Sequence, residues 1–230
     1  MEDLKQQYES KGYIVASDVF TQEEIRSMKA EIKALLNKKG VFSRENDASN
    51  GVFVGLSANS DLFKKIAADR RIINVLQNVI GKQIVFLSDK VVFKNATTDF
   101  GSPWHQDWPY WKGSHKLSVW VALDDATIKN GCLKVILGSH LRGELLHRGE
   151  VHDNFGFINR MNPDDIDDAT VVSLPIKAGG AVFFHDLLLH ASHPNVSGED
   201  RWALISTYKD GTQPDPSYDW AVASFPIICE

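Results

Sequence analysis

Residues 116–124 constrain the fold most. Leu117, Val119, Val121 and Leu123 fall on one side of an extended chain, and Ser118, Trp120 and Ala122 on the other. A period of two suits a sheet with one buried apolar face and does not suit a helix, whose apolar positions recur every three to four residues. The same character continues on both sides. Ile84–Lys94 is β-rich, and 132–137, 170–175, 181–189 and 202–209 read as further strands. Asn130-Gly131 and Gly179-Gly180 supply turns between them.

Before residue 83 the period changes. Residues 2–10 predict a short helix and 12–16 a short strand. Thr21 and Glu24 form a capping box, in which hydroxyl and carboxylate satisfy free N–H groups of a first helical turn. Ile25, Met28, Ile32, Leu35 and Leu36 line one face of that helix, which Gly40 stops. The polar stretch 43–51 predicts a loop. Leu62, Phe63 and Ile66 mark one short helix. Asp69 caps another that carries Ile72, Ile73, Leu76 and Ile80 and ends at Gly81. Helices first, then about seven or eight strands, predict a mainly β fold with flanking α: a jelly-roll barrel with helices packed on one outer face. At 230 residues one domain is expected, with a helical part over 1–82, a core over 83–210 and an irregular tail over 211–230.

Composition narrows the partners. The net charge is -5 without a long Lys/Arg run, which argues against nucleic acid and against an anionic membrane surface. The cysteines are Cys132 and Cys229, too few for a disulfide framework or a cysteine zinc site. The opening stretch lacks a positive patch followed by an apolar core, and no run is long enough to span a bilayer, so a cytoplasmic protein is expected.

Trp104-His105-Gln106-Asp107-Trp108 carries the chemistry. Residues i and i+2 of an extended chain point the same way, so His105 and Asp107 can reach one ion together. A second histidine would complete the two-His-one-carboxylate set of non-haem Fe(II) oxygenases. Alone, such a pair is a common coincidence. Trp104, Trp108, Tyr110 and Trp111 crowd it, as core packing or as a pocket wall. His185, His190 and His193 are the candidates for the third ligand. On an unbroken strand through 181–190, His190 shares a face with Phe184, Asp186 and Leu188 and stands at the strand end, so it is preferred. His185 then faces the other way, and His193 reads as a turn histidine bonded to backbone near Pro194-Asn195. Arg201 opens the next strand. Turned inward, its guanidinium would hold a carboxylate through two parallel hydrogen bonds; turned outward, it is an ordinary surface arginine.

The stretches GYIVASDVFTQEEIRSMKAEIKALL, PWHQDWPYW, SVWVALDD, NGCLKVILGSH and HASHPNVSGEDRWAL, in this order, make the chain resemble the phytanoyl-CoA dioxygenase family of Fe(II)/2-oxoglutarate oxygenases. The resemblance implies a double-stranded β-helix, a form of jelly roll, with helices on one side. It implies that His105, Asp107 and His190 hold Fe(II), and that Arg201, eleven residues after His190, anchors 2-oxoglutarate. It also places Gln106, Trp120 and one of Lys90 and Lys94 beside the cosubstrate. In a related branch that transfers halide, a small residue replaces the carboxylate. Asp107 is kept here, so hydroxylation or a related oxidation is expected. No basic cluster is present for the phosphates of coenzyme A.

The implied reaction uses O2 and converts 2-oxoglutarate to succinate and CO2 while a small molecule is oxidised. Trp108, Tyr110, Trp111, Arg148 and Phe157 are candidate substrate contacts. Residues 138–168 form a long polar stretch, a candidate lid that also carries His147, His152, Phe155 and Arg160. Its cationic and aromatic side chains point to an anionic or zwitterionic substrate. Two alternatives stand at this stage: a cupin-like metalloenzyme that does not use 2-oxoglutarate, and a non-catalytic ligand-binding jelly roll.

Overall fold

The computed structural model describes residues 3–38, 51–96, 99–147, 157, 159–216, 218–221 and 223–228. In chain order its elements are α1 (Leu4–Lys11), β1 (Tyr13–Ala16), α2 (Gln22–Asn37), β2 (Val52–Val54), α3 (Leu56–Asn59), α4 (Asp61–Ala67), α5 (Arg70–Ile80), β3 (Ile84–Lys94), α6 (Trp108–Trp111), β4 (Lys116–Ala122), β5 (Leu133–Ile136), β6 (Val171–Leu174), β7 (Ala181–His185), β8 (His190–Ser192), β9 (Arg201–Asp210) and β10 (Phe225–Ile227). The larger sheet runs β1-β7-β4-β9-β3-β10, with β2 also on β3; the smaller runs β6-β5-β8. All these pairings are antiparallel. This is the jelly-roll arrangement, but the two sheets pack face to face and do not close into a barrel.

β4 explains the layers. Leu117, Val119 and Val121 join Ile25, Met28, Ile32, Ile72 and Leu76 in a core between the larger sheet and the helices. Trp120 and Ala122, on the opposite face, join Leu133, Val135 and Leu174 between the two sheets. All seven residues of the strand are buried, because it is covered on both sides.

The helix signals sit where the caps put them. The Thr21 side chain accepts from the Glu24 N–H, and the Glu24 carboxylate accepts from the Thr21 N–H at 2.7 Å. Asp69 accepts from the Arg71 N–H at 2.9 Å and starts α5. Thr21→Ala is expected to lower stability by about 1 kcal/mol, read as a shifted urea midpoint with an unchanged slope. α2 ends at Asn37; Gly40 and residues 43–50 lie outside the described residues.

Two expectations are corrected here. The strand read through 181–190 is two strands in different sheets. The chain turns after His185, with the Leu188 N–H bonded to the His185 carbonyl, and crosses to the smaller sheet. The tail is not irregular throughout. Residues 219–221 form a 3-10 turn, and β10 pairs with the start of β3, Phe225 opposite Phe86. A three-residue strand carries too short a period to be read from sequence. Among the described residues, no helix is long and apolar enough to cross a membrane.

Candidate active site

His105 and His190 meet because they are cross-strand partners. Their backbones exchange both hydrogen bonds of an antiparallel bridge, at 3.0 Å each way. Opposed residues of such a pair project to the same side, and the two rings lie 4.2 Å apart by centroid. Asp107, two residues on, projects with them. Its Oδ1 is 3.7 Å from His105 Nε2 and 3.8 Å from His190 Nε2. The other nitrogen of each ring is held by a carbonyl: His105 Nδ1 lies 2.8 Å from the Pro103 oxygen, and His190 Nδ1 lies 2.9 Å from that of Leu188. A carbonyl only accepts, so Nδ1 carries the proton and Nε2 keeps its lone pair for an ion. Ser118 Oγ donates to Asp107 Oδ2 at 3.0 Å and leaves Oδ1 to face the histidines. Burial, then His190, pushes the His105 pKa well below its usual value, keeping the ring in the neutral form that ligates.

A cavity of about 460 Å3 opens onto these three side chains. Lys90, Val92 and Lys94 of β3 line one side; Tyr110, Trp111 and Phe157 line another. Phe157 stands edge-on to His105 at 4.7 Å. Trp120 and Trp220 also reach the wall.

Two cations meet beside Trp120. Lys94 and Arg201 are register partners across β3 and β9, and each is 1% exposed. Lys94 Nζ donates to Ser192 Oγ at 2.8 Å and to the His193 carbonyl at 2.6 Å. The Arg201 guanidinium packs 5.5 Å from the centre of the Trp120 ring; its Nε donates to the Asn130 carbonyl at 3.4 Å, and its Nη1 is buried without a hydrogen-bond partner among the described residues. Burial pushes Arg201 down to about 10; burial, then Arg201, pushes Lys94 down to about 6. Both shifts come first from loss of water around the charge, which a negative partner would offset. A dicarboxylate anchored at the histidines and reaching to this point would be that partner, so the donor set fits both Fe(II) and 2-oxoglutarate. Lys94 and Trp120 are on the cavity wall; Arg201 is buried against Trp120.

Other residues singled out by sequence fall elsewhere. Gln106 does not line the cavity. It points opposite to His105 and Asp107, donates to the carbonyls of Gly143 and Leu187, and accepts from the Leu145 N–H at 2.8 Å. It pins loops together behind the site. Trp108 opens α6 and is not a lining residue either. The His193 ring bonds Ser173 Oγ at 2.9 Å, not the backbone near Pro194. Arg148, His152 and Phe155 lie outside the described residues.

A second cluster escaped sequence reasoning. Asp186 is fully buried. Its Oδ2 accepts from Trp111 Nε1 at 3.2 Å and from the Lys116 N–H at 2.9 Å, and its Oδ1 lies 2.7 Å from His115 Nδ1. Its carbonyl accepts from the N–H groups of Asp107 and Trp108. Burial raises its pKa, but hydrogen bonds to His115 and His185 outweigh this and hold it well below the carboxylate range. His115 and His185 stack 3.9 Å apart, and Asp186 is already held by His115, Trp111 and the Lys116 N–H, so the group serves as a hydrogen-bonded buttress behind Asp107 and Trp111. Asp186→Asn turns one oxygen into a donor that faces donors. We expect a loss of about 1–3 kcal/mol, read by urea denaturation, together with slower turnover.

This donor set, in this fold, belongs to the non-haem Fe(II)/2-oxoglutarate-dependent dioxygenases. The cofactors of the class are Fe(II), 2-oxoglutarate and O2. More closely, the chain is a member of the phytanoyl-CoA dioxygenase (PhyH) family, whose model matches residues 8–203. It is 24% identical over 257 residues to a phytanoyl-CoA dioxygenase domain-containing protein 1 homolog of Caenorhabditis elegans, covering 88% of each chain. It is 28% identical over 224 residues to a probable alpha-ketoglutarate-dependent hypophosphite dioxygenase of Stutzerimonas stutzeri, covering 90% of this chain and 77% of that one. Among solved structures it is similar to the non-heme monooxygenase ThoJ, with a TM-score of 0.77 and 26% identity over 94% of this chain and 80% of that one.

Proposed function

We propose that residues 1–230 act as one catalytic domain in which His105, Asp107 and His190 hold Fe(II), and Arg201 with Lys94 holds the far carboxylate of 2-oxoglutarate. The observation that carries this reading is the unpartnered Nη1 of Arg201, buried beside a depressed lysine at one side of the triad's cavity. Bound there, the iron and its cosubstrate supply the oxidation of a substrate C–H bond, with 2-oxoglutarate leaving as succinate and CO2. The chain's own residues do the rest. Pro103 and Leu188 fix the imidazole tautomers, Ser118 aims Asp107, and the two cations orient the diacid before substrate arrives. Trp120 and Phe157 keep water from the metal face. Asp107 fills the position that halide transfer leaves vacant, which supports hydroxylation.

The substrate is a small molecule. The S. stutzeri relative is named for a small anion, which supports an anionic substrate here. The test is succinate formation by protein loaded with Fe(II) without oxygen, then given 2-oxoglutarate, O2 and candidate small acids. Succinate that rises with one acid and needs both iron and 2-oxoglutarate is expected. Iron binding without any use of 2-oxoglutarate would move the cupin-like alternative ahead.

A further inference from the structure

Lys90 and Lys94 lie on the same face of β3, four residues apart. At roughly 3.3 Å per residue their Cα atoms stand about 13 Å apart. A five-carbon diacid has four C–C bonds of about 1.5 Å, so its carboxyl carbons are at most about 6 Å apart. A diacid held at the histidines and at Lys94 with Arg201 does not need Lys90, which stands further along the same cavity wall. Lys90 is exposed; its backbone pairs with β2 and β9, and among the described residues its ammonium makes no hydrogen bond or ion pair. It lines the same cavity as His105 and Asp107.

Trp220 joins Trp111 at the cavity, with ring centres 5.9 Å apart, and Tyr218 backs Trp220 at 5.0 Å. The segment that brings Trp220 is clasped to the body of the protein. Asp215, 5% exposed at its side chain, accepts from the Ser114 N–H at 2.7 Å and from Tyr218 Oη at 2.7 Å. It also pairs with the ammonium groups of Lys116 at 3.0 Å and Lys209 at 3.1 Å. Two buried lysines on one carboxylate hold this tail against the segment that follows α6, so the indole shelf is built in.

We propose that the substrate is a carboxylate, or a like anion, on a flat apolar body: Lys90 takes the charge and the Trp111–Trp220 shelf takes the body. This rests on the reading of the site as that of an Fe(II)/2-oxoglutarate dioxygenase. The probes are 3-phenylpropionate and its amide, which share shape and differ in charge. They are titrated by ligand-observed NMR into the full chain loaded with Fe(II) and saturating 2-oxoglutarate in the absence of oxygen. The acid is expected to bind about 10-fold more tightly than the amide. Lys90→Gln removes that ratio and Lys90→Arg keeps it, while neither changes the 2-oxoglutarate half-saturation by more than about 2-fold. Trp220→Ala weakens acid and amide alike by about 2- to 10-fold and leaves their ratio intact.

Equal affinity for acid and amide, no saturable binding of either, or a ratio that survives Lys90→Gln overturns the proposal. So does a Lys90→Gln protein whose main defect is in 2-oxoglutarate use. Metal-dependent binding of 2-oxoglutarate is measured on the same preparations without oxygen. Its absence overturns the reading of the site itself; its presence with equal binding of acid and amide overturns the Lys90 anchor only.

Discussion

His190→Ala abolishes turnover and lowers Fe(II) affinity by more than about 100-fold, while the circular dichroism spectrum stays that of the folded protein. The expected size follows from the geometry. Loss of a group that only supports a metal ligand costs about 10- to 100-fold in metal affinity, and loss of the ligand itself costs more. The fold survives because β8 is held by its backbone. His190 exchanges both main-chain hydrogen bonds with His105, and β8 pairs with β5 through residues 190–192, none of which needs the imidazole. His105→Ala and Asp107→Ala carry the same expectation. His185→Ala is the control: its ring stacks on His115 and Tyr8, away from the cavity, so metal affinity is unchanged and stability falls. Iron binding is read by equilibrium dialysis without oxygen. Near-normal iron affinity and turnover in the His190 variant would remove the triad from the account.

The choice of His190 shows what sequence carries and what it does not. The alternation in β4 made both faces of the larger sheet readable, but not that Ser118 would meet Asp107, a contact only the topology makes. The i, i+2 argument placed His105 and Asp107 together. The same argument also says that Gln106 must point the other way, as it does; only its likeness to a family position set it beside the cosubstrate. His190 was reached by counting faces along one strand, yet the chain turns at 186–188, and parity does not survive a turn. What brings His190 to His105 is a backbone bridge between distant segments, and register between such segments leaves no local trace. Asp186 and Trp220 were missed for related reasons. The carboxylate looked like one more alternating residue of a strand, and the indole sits in a tail without period. Neither role exists until the topology brings Trp111 to them.

Arg201→Met separates cosubstrate binding from folding. In the wild-type protein the guanidinium is almost fully buried and its Nη1 unpartnered, so without an anion it contributes little to stability. Replacing a buried, poorly paired charge by an apolar side chain of similar length is commonly neutral or stabilising. The melting temperature of the variant without cosubstrate is therefore expected to match or exceed that of the wild type. With cosubstrate the order reverses. A charge-assisted hydrogen bond contributes about 1.5–3 kcal/mol, so the 2-oxoglutarate half-saturation rises by about 10- to 100-fold. At a concentration of 100 times its Kd, 2-oxoglutarate should stabilise the wild type by about 2.7 kcal/mol and the variant by much less. The pH dependence has a definite sign. Lys94 is held down to about 6 in the free protein and gains a negative partner on binding, so binding takes up a proton. Affinity for 2-oxoglutarate should then rise as pH falls toward 6, a trend calorimetry can read together with the proton uptake. A variant that loses stability without cosubstrate while keeping its 2-oxoglutarate affinity would make Arg201 a structural residue and leave the diacid to be held elsewhere.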